Sequence, residues 1–335
     1  MSKIGILGAG SWGTALAVVL EKNGHEVALW SAVKTEVEML IEHREHKDRL
    51  PGVMLPESIQ IESIVENVCD KKDLLVFAVA SPFVRSTAQL AAPYITKGQI
   101  IVNVAKGIED ATLMTLSEIL EEELKTANVA VLSGPSHAEE VSKNIPTTVV
   151  VGAKTKKIAM FIQEIFMNDV FRVYTSPDII GIELGGSIKN VIALAAGVID
   201  GLGLGDNTKA ALMTRGIAEM SRLGTAMGGK LETFSGLSGI GDLIVTCTSK
   251  HSRNRNAGYL MGKGYTAKEA MDEVKQVVEG VYSAKAALRL AQKYNVKMPI
   301  VEEVNQVLFE GKSAEDALND LFARNKRREY SDLSW

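Results

Sequence analysis

The sequence predicts a two-part protein, an α/β half organised around a doubly wound parallel sheet followed by an all-α half. Up to residue 176, short apolar runs rich in β-branched residues alternate with stretches of helical spacing, and from Pro177 onward no strand pattern recurs. A length of 335 residues with 46% hydrophobic content leaves room for two ordinary domains, each able to bury a core. The expected division falls between 1–176 and 177–335.

The strand-like runs are 4–7, 27–30, 74–79, 100–104 and 129–132. Apolar strands separated by helices indicate a parallel sheet covered on both faces. Helical spacing is clear at 14–22 and 113–124, where apolar residues recur three and four apart. Two more runs, 147–151 and 171–174, flank a helical segment at 156–166 and are expected to extend the sheet. The second half reads as helices at 179–199, 209–227, 284–294 and 300–309. Its most apolar run, 191–199, stops at Asp200, short of the ~20 residues that a bilayer span needs. A core helix is expected there, and no membrane span. The polar tail, 324–335, is expected to be loosely ordered.

Lysine and arginine number 37 against 41 acids, a formal charge of -4 that gives no sign of bulk nucleic acid as the main partner, so none is expected. Cys69 and Cys247 are distant in sequence and neither lies in a C-x-x-C pattern, which fits a reducing compartment and argues against a zinc site. The sequence runs from Met1-Ser2-Lys3 straight into a strand, so a cytoplasmic location is expected.

The first strand leads into Gly8-Ala9-Gly10-Ser11-Trp12-Gly13 and then a helix. In this G-x-G-x-x-G pattern the first glycine permits a tight turn, the second lets a pyrophosphate approach the backbone and the third lets helix pack on strand. Alone the pattern is weak. Its place between a strand and a helix, with a second strand following, predicts a Rossmann-like dinucleotide site. After the second strand, where an NAD-selective protein usually carries an acid, the sequence reads Ser31-Ala32-Val33-Lys34. Lys34 could approach a 2′-phosphate or could be a solvated first-turn residue, so NADPH or NADH is expected to serve.

Lys106 follows the fourth apolar run and precedes Gly107, on the side of a parallel sheet where ligands bind. The alternative is an exposed loop lysine. Ser133-Gly134-Pro135-Ser136-His137-Ala138 offers a tight turn into a helix, suited to phosphate or nicotinamide contacts or simply a capped helix start. Lys189 interrupts a largely apolar helix, where desolvation lowers an ammonium pKa toward the range of an acid–base catalyst. Its bland counterpart is a buried ion pair with Glu183 or another acid. Asp242 lies in a glycine-rich stretch, 236–241, expected to be a flexible turn, and Ser252-Arg253-Asn254 combines a planar fork with neutral donors suited to a phosphate monoester. Such a run can also be a solvated helix start.

Together these strings, with Lys106-Gly107-Ile108-Glu109, Lys189-Asn190, Gly239-Ile240-Gly241-Asp242-Leu243 and Val277-Val278-Glu279-Gly280-Val281, resemble the bacterial-type NAD(P)-dependent sn-glycerol-3-phosphate dehydrogenases over nearly the whole chain. The resemblance implies reversible reduction of dihydroxyacetone phosphate to sn-glycerol 3-phosphate, for glycerophospholipid synthesis. It implies Lys189 as proton donor and acceptor, Lys106 as a neighbouring polarising and substrate-binding group, and Asp242 as the group that orients Lys189. It assigns Gly134, Ser136, Ser252, Arg253 and Asn254 to substrate, and Ser11, Trp12, Ala138, Arg253, Val277 and Glu279 to cofactor. One departure stands out: many members carry histidine and arginine where this chain has Ala32 and Val33. A related β-hydroxyacid or ketopantoate-type reductase would share the fold and a catalytic lysine but need no phosphate site. A non-catalytic dinucleotide sensor would need neither lysine. A homodimer is the expected assembly.

Overall fold

The computed structural model describes residues 1–326, 328 and 329, so most of the tail at 324–335 lies outside the described residues. One sheet holds eight strands: β1 (Lys3–Leu7), β2 (Glu26–Trp30), β3 (Gln60–Glu62), β4 (Leu74–Phe77), β5 (Ile100–Asn103), β6 (Asn128–Ser133), β7 (Thr147–Ala153) and β8 (Phe171–Ser176). Their order is β3-β2-β1-β4-β5-β6-β7-β8. The order reverses between β1 and β4, which opens a crevice at the carboxyl ends of these two strands.

Helices α1 (Ser11–Lys22), α2 (Lys34–His43), α3 (Val65–Cys69), α4 (Val84–Ala91), α5 (Leu116–Glu123), α6 (Ala138–Val141) and α7 (Lys156–Phe166) accompany the strands. One apolar cluster joins Ile4, Ile6, Leu29 and Val76 to Leu16 and Leu20 of α1. A second joins Leu7, Leu75, Phe77 and Ile101 to Ala88 of α4 and Leu120 of α5. Alternate strand residues thus face different cores, as β geometry requires.

Two features depart from the sequence reading. The sheet is not wholly parallel, because β7 runs antiparallel to β6. The connection between them contains only the four-residue α6 and turns back at the same end of the sheet, without the crossover a parallel pair requires. Gly134 makes that reversal, with φ +143° and its α-carbon so close to β7 that an added Cβ would sit 3.0 Å from the Val149 Cα. The other departure is β3, a three-residue edge strand too short to leave an apolar pattern.

The remainder is helical: α8 (Ile179–Leu202), α9 (Gly205–Ala226), α10 (Leu231–Phe234), α11 (Asp242–Thr248), α12 (Arg253–Gly262), α13 (Ala267–Val274), α14 (Glu279–Lys293), α15 (Pro299–Phe309) and α16 (Ala314–Phe322). Helix α8 is the axis of this half. Asp178 caps its start by accepting from the Gly181 amide at 3.0 Å, and Gly203 ends it in the left-handed conformation. By length and a mean hydropathy of 1.5 it could cross a membrane, but 83% of its apolar window is buried inside the protein. It is a core helix. Glycines bring α12 against it: a Cβ on Gly197 would lie 2.0 Å from the Arg255 carbonyl oxygen, and one on Gly258 2.0 Å from that of Leu194. This close contact fixes the start of α12 relative to the middle of α8.

Candidate active site

The phosphate turn is built as its glycines require. A Cβ on Gly8 would meet the Val79 nitrogen at 2.6 Å and one on Gly13 the Gly8 carbonyl oxygen at 1.9 Å, whereas Gly10 faces open space. The first intrahelical bond of α1 runs from the Thr14 amide to the Gly10 carbonyl, leaving the Ser11, Trp12 and Gly13 amides at the mouth of the crevice. Backbone donors at a helix N-terminus beside an open glycine fit a dinucleotide pyrophosphate. Lys34 stands apart on the first turn of α2, its side chain 87% exposed and paired with Glu38 at 3.6 Å.

Beyond the carboxyl ends of β5 and β6, Asp242 binds two lysines. Its Oδ1 accepts from Lys189 Nζ at 2.9 Å and its Oδ2 from Lys106 Nζ at 2.6 Å. Lys189 also donates to Thr246 Oγ1 at 2.6 Å, and Thr246 donates to the Asp242 carbonyl oxygen. Lys106, arriving from the end of β5, donates to the Gly134 carbonyl at 3.1 Å, which also accepts from Ser136 Oγ. It passes over α8 at Gly186, where a Cβ would lie 3.4 Å from its stem.

Burial of Lys189 lowers its pKa to about 8, with Lys106 acting in the same direction and Asp242 opposing. Burial raises the Asp242 pKa, but the two adjacent ammonium groups outweigh it and hold the carboxyl below its ordinary value. The imidazole of His137 is lowered, first by burial and then by the charge of Lys189, and its Nε2 is buried without a hydrogen-bond partner among the described residues.

Glu183 is not the partner of Lys189. It accepts from the backbone and hydroxyl of Ser117, which places its carboxylate at the first turn of α5. Nor is Asp242 in a flexible turn. Residues 237–241 form a single wide turn closed from the Gly241 amide to the Gly236 carbonyl, and Asp242 is the 1%-exposed first residue of α11. The glycines serve close packing there: a Cβ on Gly185 of α8 would meet the Ser238 carbonyl oxygen at 2.5 Å.

Ser252 caps α12 by accepting from the Arg255 amide at 3.2 Å. Asn254 ties three helices, donating to Asn190 Oδ1 of α8 at 3.0 Å and accepting from the Gly280 amide of α14 at 2.8 Å. Arg253 lies between these anchors and is exposed. Glu279 joins the helical half to the sheet by accepting from the backbone and side chain of Ser81. Ala138 is buried at the start of α6, and Val277 is half-buried just ahead of α14. Thr246 and Ser81 were not foreseen. The signal for Thr246 was its place one helical turn after Asp242; Ser81 had none.

Family models described as the N-terminus and the C-terminus of NAD-dependent glycerol-3-phosphate dehydrogenase match residues 3–159 and 178–319. The chain belongs to this dehydrogenase family. A glycerol-3-phosphate dehydrogenase [NAD(P)+] of Agathobacter rectalis is 63% identical over 335 residues, covering 100% of both chains. The Bacillus subtilis protein of the same description is 52% identical over 99% of this chain and 97% of its own. Among solved structures, a glycerol-3-phosphate dehydrogenase of Coxiella burnetii is 38% identical with a TM-score of 0.93, covering 96% of this chain and 99% of the other.

Proposed function

We propose that this chain catalyses the reversible reduction of dihydroxyacetone phosphate to sn-glycerol 3-phosphate with NADPH or NADH, supplying the backbone of glycerophospholipids. The observation that carries the reading is the pair of lysines on one buried carboxylate, in a chain whose β1–α1 connection is built as a dinucleotide turn. When bound, the reduced nicotinamide supplies the hydride that C2 receives. Lys189, as an ammonium, donates a proton to the oxygen on C2; in the reverse direction its neutral amine takes the proton of the C2 hydroxyl. A pKa of about 8 makes both forms accessible near neutrality. Lys106 is the second lysine donor by that oxygen, so two lysines on one carboxylate stabilise a developing alkoxide. Asp242 positions both ammonium groups.

Gly134, Ser136, Ser252, Arg253 and Asn254 are assigned to substrate, with Arg253 as the phosphate fork. Gly8, Gly10, Ser11, Trp12, Gly13, Ala138, Val277 and Glu279 are assigned to the cofactor, with Lys106 and Arg253 between the two sites. The reading places the domain division at 176/177, the protein in the cytoplasm, and its assembly as a homodimer with no nucleic-acid partner. An absorbance assay of NADPH and NADH consumption tests it. Turnover with dihydroxyacetone phosphate but not with short keto acids is expected; the opposite pattern would replace it with a ketopantoate-type reductase.

A further inference from the structure

The end of β2 lacks an arginine in sequence, yet the fold brings one there. Ser11 Oγ, at the start of α1, donates to the backbone carbonyl of Arg49 at 2.6 Å, clasping a distant loop to the phosphate turn. The Arg49 side chain turns toward Glu36 of α2, with Nε 3.8 Å from Oε1. Glu36 is engaged on every side. Its Oε2 accepts from Ser31 Oγ at 2.7 Å, and its Oε1 also faces Nε2 of His46, whose ring is 1% exposed, at 3.7 Å. Ser31 in turn accepts from the Val33 amide.

This arrangement decides between two readings of the residues after β2. A free carboxylate there takes the ribose hydroxyls and repels a 2′-phosphate. Glu36 instead accepts a hydrogen bond from Ser31 and lies within ion-pair distance of His46 and Arg49. The guanidinium meets Glu36 through Nε, its terminal nitrogens make no hydrogen bond among the described residues, and the side chain is 34% exposed. That leaves a planar fork, aligned by an anion and open to solvent, beside the phosphate turn. It lies close enough to Arg253 of the helical half for the two charges to oppose one another. Lys34, at 87% exposure and paired with Glu38, offers only a mobile point charge.

We propose that Arg49, held in place by Glu36, is the residue of this chain that recognises the 2′-phosphate of NADPH and sets its preference over NADH. The inference deepens the proposed function and rests on the same dinucleotide site. The test is equilibrium binding by calorimetry of NADPH, NADH and 2′,5′-ADP, which carries the 2′-phosphate without nicotinamide or pyrophosphate, to the parent, Arg49→Ala, Arg49→Lys and Lys34→Ala. A charge-assisted contact of this kind is worth about ten- to a hundredfold in affinity. Arg49→Ala is expected to weaken NADPH and 2′,5′-ADP by at least about tenfold while NADH changes less than about twofold. Arg49→Lys should recover part of the loss, and Lys34→Ala should change nothing by more than about threefold. Equal weakening of NADH and NADPH would place Arg49 on the pyrophosphate and overturn the proposal, as would a selective loss in Lys34→Ala. If the parent bound neither dinucleotide, the proposed function itself would fall; if it bound both and Arg49→Ala did not discriminate, only this inference would.

Discussion

Asp242, at the head of α11, and Glu219, in the middle of α9, are each 1% exposed, and their partners differ in kind. Glu219 accepts from the Ile300 and Val301 amides at the start of α15, and burial carries its pKa up to about 7 against those bonds. Asp242 is equally dehydrated, but two ammonium groups keep it ionised. Amide dipoles do not fully replace water around a carboxylate, whereas full positive charges do. A buried acid with peptide donors is a helix cap that holds a proton easily. One with lysine donors is an anion that controls the proton affinity of its neighbours.

That contrast can be broken at four points. The largest effect is expected at Lys189, where Lys189→Ala should lower turnover by at least ~100-fold with little change in dinucleotide affinity, measured by steady-state assay and direct binding. A variant with near-parental turnover would move the proton-transfer role to Lys106.

Asp242→Asn should lower turnover by about tenfold or more and also move the pH profile. On the proposed mechanism reduction requires the Lys189 ammonium and oxidation its neutral amine, so in the parent reduction should fall and oxidation rise as pH passes about 8. Removing the anion that raises this pKa should shift both limbs to lower pH. Unshifted limbs in the variant would mean that the pKa in control belongs to another group.

Arg253→Ala should raise KM for dihydroxyacetone phosphate by about tenfold, a charge-assisted contact having been lost, with a smaller effect on kcat. An unchanged KM would remove Arg253 from the substrate site.

The smallest effect concerns Glu219 and is one of stability. Its folded pKa of about 7 lies above the ordinary 4.5, so in that window the folded chain keeps a proton that the unfolded chain has lost. Stability from this group is therefore gained as pH falls through 7 toward 4.5 and lost as it rises. Denaturant titrations at a series of pH values should show the parent gaining on the order of 1–3 kcal/mol from it across that window. Glu219→Gln should gain less, the raised Glu183 and Glu279 remaining in both proteins. Identical slopes for the two proteins would show that Glu219 does not hold the proton.

Much of the site was legible because its signals are short. The glycine turn needs six consecutive residues, and Lys189 stands out against the apolar residues within one turn on either side. The mistaken elements depended on distance. Glu183, six residues before Lys189, was a reasonable candidate partner by proximity, yet its carboxylate is taken by Ser117 from 66 residues away. The glycine run before Asp242 looked mobile because glycine permits flexibility, but glycine also permits close packing, and here the packing prevailed.

The sequence by itself determined the alternation of strands and helices, the change to an all-helical second half, the glycine turn between β1 and α1 and the lysine set inside an apolar helix. Each follows from local periodicity or from a residue type set in a contrasting neighbourhood. Only the tertiary structure decided that β7 reverses against β6, that Asp242 joins lysines 53 and 136 residues away, and that Arg49 lies beside Ser11 across 38 residues. The lysine pairings arise where α8, α11 and the end of β5 pack together, and in none of these cases does a window of local spacing contain both partners.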